Sequence, residues 1–215
     1  VVALPEVEFF EIYNRSSKIF DLADWTINDN STTAFFDSYI LGPDEYVVIC
    51  GPEEGALFGI TDFLEVDGLP TLTNTEDDLV LKDNTGLQLD SIRYQVSWYN
   101  DSDKDDGGWT LERKHLNSPC SDNNNWGASV NTNGGTPGEQ NSIWTDEDDV
   151  SAPFVSDYNV VSETEVLLTF NESLDTLIPL SLSILPTVDM LSGEFTALNE
   201  YRVDALTLIA NTTYD

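Results

Sequence analysis

The sequence predicts an all-β protein built as two β-sandwiches in tandem, the second of them incomplete. Three observations carry that expectation. Short runs alternate apolar and polar residues with a period of two, Gly, Pro, Asn and Asp punctuate them, and the same pattern restarts after a Gly/Pro-rich and then acidic stretch at 131–153. Of the 215 residues, 40% are hydrophobic and 11% aromatic, which is enough apolar material for a buried core.

The elements follow in order. In "VEFFEIYN" (7–14), Val7, Phe9, Glu11 and Tyr13 alternate with Glu8, Phe10 and Ile12. In "FDLADWTIND" (20–29), Phe20 and Leu22 are followed by Trp25 and Ile27, and the three-residue step predicts a bend. "YVVIC" (46–50) is a continuous apolar run, as expected of a strand covered on both faces. "PEEGALFG" (52–59) is the one helical candidate, a turn or two long. "DDLVLKDNTGLQLDSIRYQ" (77–95) reads as a hairpin whose turn, Asp83-Asn84-Thr85-Gly86, places Gly86 at positive φ. "WTLERKH" (109–115) alternates again, and beyond the acidic stretch Val166, Leu168 and Phe170 alternate with Glu165, Leu167 and Thr169. These readings divide the chain into a first domain at 1–144, an acidic linker at 145–153 and a partial second domain at 154–215.

Charge narrows the functional classes. Eight Lys+Arg against forty Asp+Glu give a formal net charge of −32. Such a polyanion repels phosphate backbones and anionic headgroups, so neither nucleic acid nor a membrane surface is an expected partner. No apolar run is long enough to span a bilayer.

Several stretches of the first domain, taken together, carry a resemblance. They are "EFFEIYNRSSKIFDLADWTIND", "YILGPDEYVVIC", "DDLVLKDNTGLQLDSIRY", "DDGGWTLER", "NNWGAS" and "NGGTPGEQNS", in that order over about 1–144. This part resembles a lamin-tail domain of the kind appended to bacterial secreted and surface proteins. That family's usual opening strand is reduced here to "VVA". "APFVSDYNVVSETEVLLTFNESLD" and "LTLIANTTYD" resemble a bacterial surface-layer-type immunoglobulin-like domain whose closing strand would lie past residue 215. The resemblances imply two immunoglobulin-like sandwiches with no catalytic role. They also imply a secreted or cell-surface setting in bacteria, with adhesion, anchoring or spacing as the task. The expected partners are other domains of a parent chain, an extracellular protein or a glycan. Two alternatives stand beside this: a carbohydrate-binding accessory module, and a non-catalytic fragment of a larger secreted nuclease or phosphatase.

Four side-chain groups are candidate sites. In "WYNDSDKDDGGWTLERKH" (98–115), Asp101, Asp103 and Asp105 sit at alternate positions, with Asp106 beside them and Glu112 at the twelfth. That spacing resembles a helix-flanked calcium loop, but Asp106 stands where the tight turn needs glycine and both flanks read as strands. What remains is a looser oxygen cage for calcium built by the four aspartates, or an acidic loop leading into a Gly-Gly-Trp turn. Calcium could equally stiffen the linker through Asp146, Glu147, Asp148 and Asp149. Trp98 and Tyr99 are the candidate ligand-binding platform, since aromatic faces beside carboxylates suit sugar rings, whereas Trp25, Trp109 and Trp126 fall at positions the family fills as core. Cys50 and Cys120 form either a long-range disulfide, contributing on the order of 4 kcal/mol, or two separate thiols. His115, Ser118 and Asp122 lie close in sequence, but no nucleophile elbow or oxyanion-type glycine motif accompanies them, so a hydrolytic triad is not expected.

Overall fold

The computed structural model describes residues 3–116, 118, 123–147, 152–172, 174, 180, 190–197 and 199–205. The chain divides into two compact units, Val1–Asp148 and Asp149–Asp215. Among the described residues no helix is long and apolar enough to cross a membrane.

Unit 1 contains β1 (Phe9–Tyr13), β2 (Phe20–Asp21), β3 (Thr26–Asn28), β4 (Thr33–Phe35), β5 (Ile40–Leu41), β6 (Tyr46–Cys50), β7 (Phe63–Glu65), β8 (Glu76–Lys82), β9 (Gln88–Gln95), β10 (Leu111–Arg113) and β11 (Trp126–Ala128). Two sheets face each other across one core, in the orders β1-β6-β7 and β4-β3-β8-β9. Short ladders β2–β5 and β10–β11 complete the unit. This is an immunoglobulin-like β-sandwich. The apolar phase of each strand decides which side chains enter it. Val47 and Ile49 of β6 come from one sheet, Ile27 of β3 and Leu79 of β8 from the other, and all are buried in a single cluster. Each such side chain contributes roughly 1.5–3 kcal/mol by leaving water.

The bend expected in 20–29 is a turn between β2 and β3. The Trp25 N–H donates to the Leu22 carbonyl at 3.0 Å, Asp24 adopts φ 62°, and both Leu22 and Trp25 are buried. The hairpin turn holds Gly86 at φ 85°, where a side chain would strain the backbone. The helical candidate at 52–59 is a short 3-10 turn, Gly55–Phe58. β6 pairs antiparallel with β1 and parallel with β7, so it lies inside its sheet, and Val47, Val48, Ile49 and Cys50 are all fully buried.

β1 and β9 are the edge strands of their sheets. The sandwich is open along this side, and the segment after β9 packs there. Asn14, buried at the end of β1, fixes its position. The Asn14 amide nitrogen lies 2.7 Å from the Lys18 carbonyl, 2.8 Å from that of Gly42 and 3.2 Å from that of Leu41.

Among the described residues, unit 2 is one antiparallel sheet: β12 (Val155–Ser162), β13 (Glu165–Phe170), β14 (Met190–Ala197) and β15 (Glu200–Ala205), in the order β12-β13-β15-β14. Phe170 and Val203 are its buried apolar side chains. Asn171 closes the β12–β13 end, its carboxamide oxygen accepting from the Phe154 N–H at 2.7 Å. Glu172, the residue after Asn171, is buried. Arg202 bridges Glu165 and Glu194 on the flanking strands, and the Phe195 and Tyr201 rings meet edge to face at 4.9 Å.

Candidate functional site

The acidic stretch after β9 folds around a cation of its own. Val96–Tyr99 form a 3-10 turn, and the following loop closes on itself, with the Lys104 N–H donating to the Asp101 carbonyl and the Asp103 N–H to the Asp101 carboxylate, both at 3.0 Å. The Lys104 ammonium then turns inward. It donates to the Ser129 carbonyl at 2.7 Å, lies 4.5 Å from the Trp109 ring centroid and sits 3.8 Å from an Asp101 oxygen. Gly107 and Gly108, both at positive φ, reverse the chain into Trp109 and β10.

Among the described residues no group of three or more His, Cys, Asp or Glu is placed to hold a metal ion. Asp101 is engaged by Lys104, Asp103, Asp105 and Asp106 are exposed, and Glu112 points into the protein. Asp148 and Asp149 of the linker lie outside the described residues. Calcium and magnesium at millimolar concentration are accordingly expected to shift the thermal melt equally. A calcium-selective rise that disappears in Asp103→Asn and Asp105→Asn would contradict this.

Two carboxyl groups hold the segment after β9 against the sandwich. Glu112, at the centre of β10, is 3% exposed. Its Oε2 accepts from the Ser142 N–H and the Ser142 hydroxyl, both at 2.7 Å, and from the Ile143 N–H at 3.3 Å. Its Oε1 accepts from the hydroxyls of Thr136 at 3.2 Å and Thr110 at 3.4 Å. Glu11 of β1 reaches the same loop, accepting the Gly138 N–H at 2.5 Å. Burial pushes the Glu11 carboxyl up to about 7; the Gly138 bond opposes this and the neighbouring Glu112 adds to it. Thr136-Pro137-Gly138 thus spans both acids, and Arg113 fastens the opposite side through Asp90 of β9 at 2.7 Å.

Between the open side of the sandwich and this clasp lies a cleft of about 860 Å³. Phe10 and Ile12 of β1, Leu79 and Leu81 of β8, and Ile92 and Tyr94 of β9 line one part of it. Trp109, Trp126 and Trp144 line the other. Arg113 lies over the Trp126 ring at 5.9 Å, and Trp144 is 41% exposed.

The order of strands from β1 through the β8–β9 hairpin, on a sandwich left open between its first and last strands, makes comparison with known domains meaningful. Residues 2–95 match the family model of the lamin tail domain. No curated protein matches the chain. The lamin-tail match ends at Gln95, the last residue of β9. The stretches "DDGGWTLER", "NNWGAS" and "NGGTPGEQNS", which supply the clasp, follow the matched region.

Around the sandwich, the aromatic candidates separate. Tyr99 lines the cleft and is half-buried, its hydroxyl donating to the Trp109 carbonyl at 2.8 Å. Trp98 is also half-buried and is not among the cleft-lining residues. Trp25 is buried in the core, whereas Trp109 and Trp126, expected there, are only partly buried because they face the cleft. Cys50 is a free thiol in the interior, its ionisation disfavoured by burial and by Glu65 and Glu54, which push it up to about 11. Cys120 lies outside the described residues. His115 donates its backbone N–H to Asn125 at 2.7 Å and accepts from the same side chain at 3.0 Å; Asp122 lies outside the described residues.

Sequence reasoning missed Glu11 and Glu112 as paired anchors. A glutamate in strand alternation reads as solvent-facing, and the only local hint was the density of small donors in "GGTPGEQNSI" (134–143).

Proposed function

We propose that this protein is a non-catalytic interaction or spacer module of a secreted or cell-surface bacterial protein. The observation that carries the reading is the lamin-tail match over 2–95, on an immunoglobulin-like sandwich, a scaffold generally used for interaction rather than catalysis. The charge of −32 supports it, because a strongly acidic surface keeps a protein soluble and turns away nucleic acid and anionic lipid. Its partners are other domains of a parent chain or extracellular macromolecules. The second unit is read as an immunoglobulin-like companion. Antibodies raised against the 215-residue chain are expected to label intact cells of the source organism or to find the protein in its medium. Detection only after lysis, in the soluble interior fraction, would overturn the reading.

A further inference from the structure

We propose that the cleft beside β9 receives an extended, basic and apolar polypeptide segment, which adds to the free edge of β9 as a further strand. This rests on the interaction-module reading and names the chemistry of the partner.

Three observations converge on it. First, β9 is eight residues long and among the described residues pairs only with β8, so one of its two edges carries backbone N–H and C=O groups with no described strand beside them. Such an edge is a template for an added strand. Second, large apolar side chains stand exposed where the cleft opens: Ile19 at 69%, Leu89 at 43% and Trp144 at 41%. An added strand would place every second side chain against them. Third, acids outnumber cations around the cleft. Glu8 and Asp105 line it and are exposed and Asp83 is half-buried, while Arg113 is bonded to Asp90 and Arg15 donates to the Leu116 carbonyl at 3.2 Å. The carboxyl of Asp83 is held below its usual range by its bonds to Thr85, so it stays charged. A lysine- or arginine-bearing strand complements that rim, and an acidic one is repelled.

A neutral glycan fits less well. The ring of Trp109 is covered by Lys104 and that of Trp126 by Arg113, which leaves Trp144 as the one exposed indole among the three that line the cleft. The clasp matters for the same reason: by holding β10 across the open side, it sets the width of the channel along β9.

The test uses the full 215-residue chain and a fluorescein-labelled octapeptide of alternating lysine and valine. Comparison peptides are a block arrangement of the same residues and an alternating glutamate–valine octapeptide. Anisotropy at physiological salt gives affinity, and amide exchange gives location. The alternating basic peptide is expected to bind, to slow exchange in residues 88–95, and to bind about tenfold more weakly to Leu89→Asp and to Trp144→Ala. Both substitutions replace exposed side chains, and unchanged melts would show that the fold is retained. Equal binding of the block peptide, unaltered affinity in both variants, or protection elsewhere would reduce the effect to attraction by the acidic surface and overturn the proposal. Absence of binding would overturn it as well. Either result is separable from the broader role, since surface labelling of cells does not depend on the cleft.

Discussion

Replacing Glu112 with alanine destabilises unit 1 by about 3 kcal/mol, the largest single effect expected outside the apolar core. The carboxyl is 3% exposed and is the common acceptor for Thr110, Thr136, Ser142 and Ile143. Removing it strands the Ser142 and Ile143 N–H groups in a site where hydroxyls can rotate away but backbone donors cannot. A buried donor left without an acceptor costs roughly 1–3 kcal/mol. For a unit of this size the loss corresponds to a fall of roughly 6–12 °C in melting temperature. Glu112→Gln keeps one carbonyl oxygen and is expected to lose less. Thermal melts of the two variants, with amide exchange across 134–145, check both points. An alanine variant that melts with the wild type would mean that the clasp is not held by Glu112.

Lowering the pH from 8 to 5 stabilises the fold through Glu11. Its carboxyl ionises at about 7 in the folded protein against an ordinary value of 4.5. Between those values the folded state holds a proton that the unfolded chain has released. The increment is therefore fully present below 4.5 and is lost as the pH rises through about 7. Its ceiling is on the order of 3 kcal/mol, at about 1.4 kcal/mol per unit of displacement. The groups that face Glu11 are Glu112 from β10, Tyr46 from β6 and the Gly138 N–H from the clasp. The charge on Glu112 adds to the burial penalty rather than relieving it. In Glu11→Gln the amide oxygen still accepts from Gly138, but nothing titrates. Urea unfolding at pH 5, 6, 7 and 8 should show wild-type stability falling relative to the variant across that window, with the variant the more stable at pH 8. Parallel curves would mean that Glu11 is solvated and titrates normally.

How much of this was legible in the chain depends on how far the deciding partners lie apart. The runs "VEFFEIYN", "YVVIC" and "DDLVLKDNTGLQLDSIRYQ" contain their strands at β1, β6 and β8–β9, because alternation is a property of neighbouring residues. The turn at Gly86 was legible for the same reason. In "WYNDSDKDDGGWTLERKH" the place of Lys104 was not legible, because its contact with Ser129 comes from 25 positions later. The cleft was not legible at all, since it is bounded by strands from both sheets and by a segment that returns after both.

The sequence by itself determined the all-β class, the position of the main strands and the acidic surface. Each of these depends on composition or on residues close together in the chain. Only the tertiary structure decided which acids are structural. Glu112 takes its donors from up to 31 positions away and Glu11 from 127, and no local pattern distinguishes them from the solvated carboxylates around them. Burial sets that distinction, because a carboxyl removed from water must find donors in the fold, and the fold brings them from wherever the chain returns.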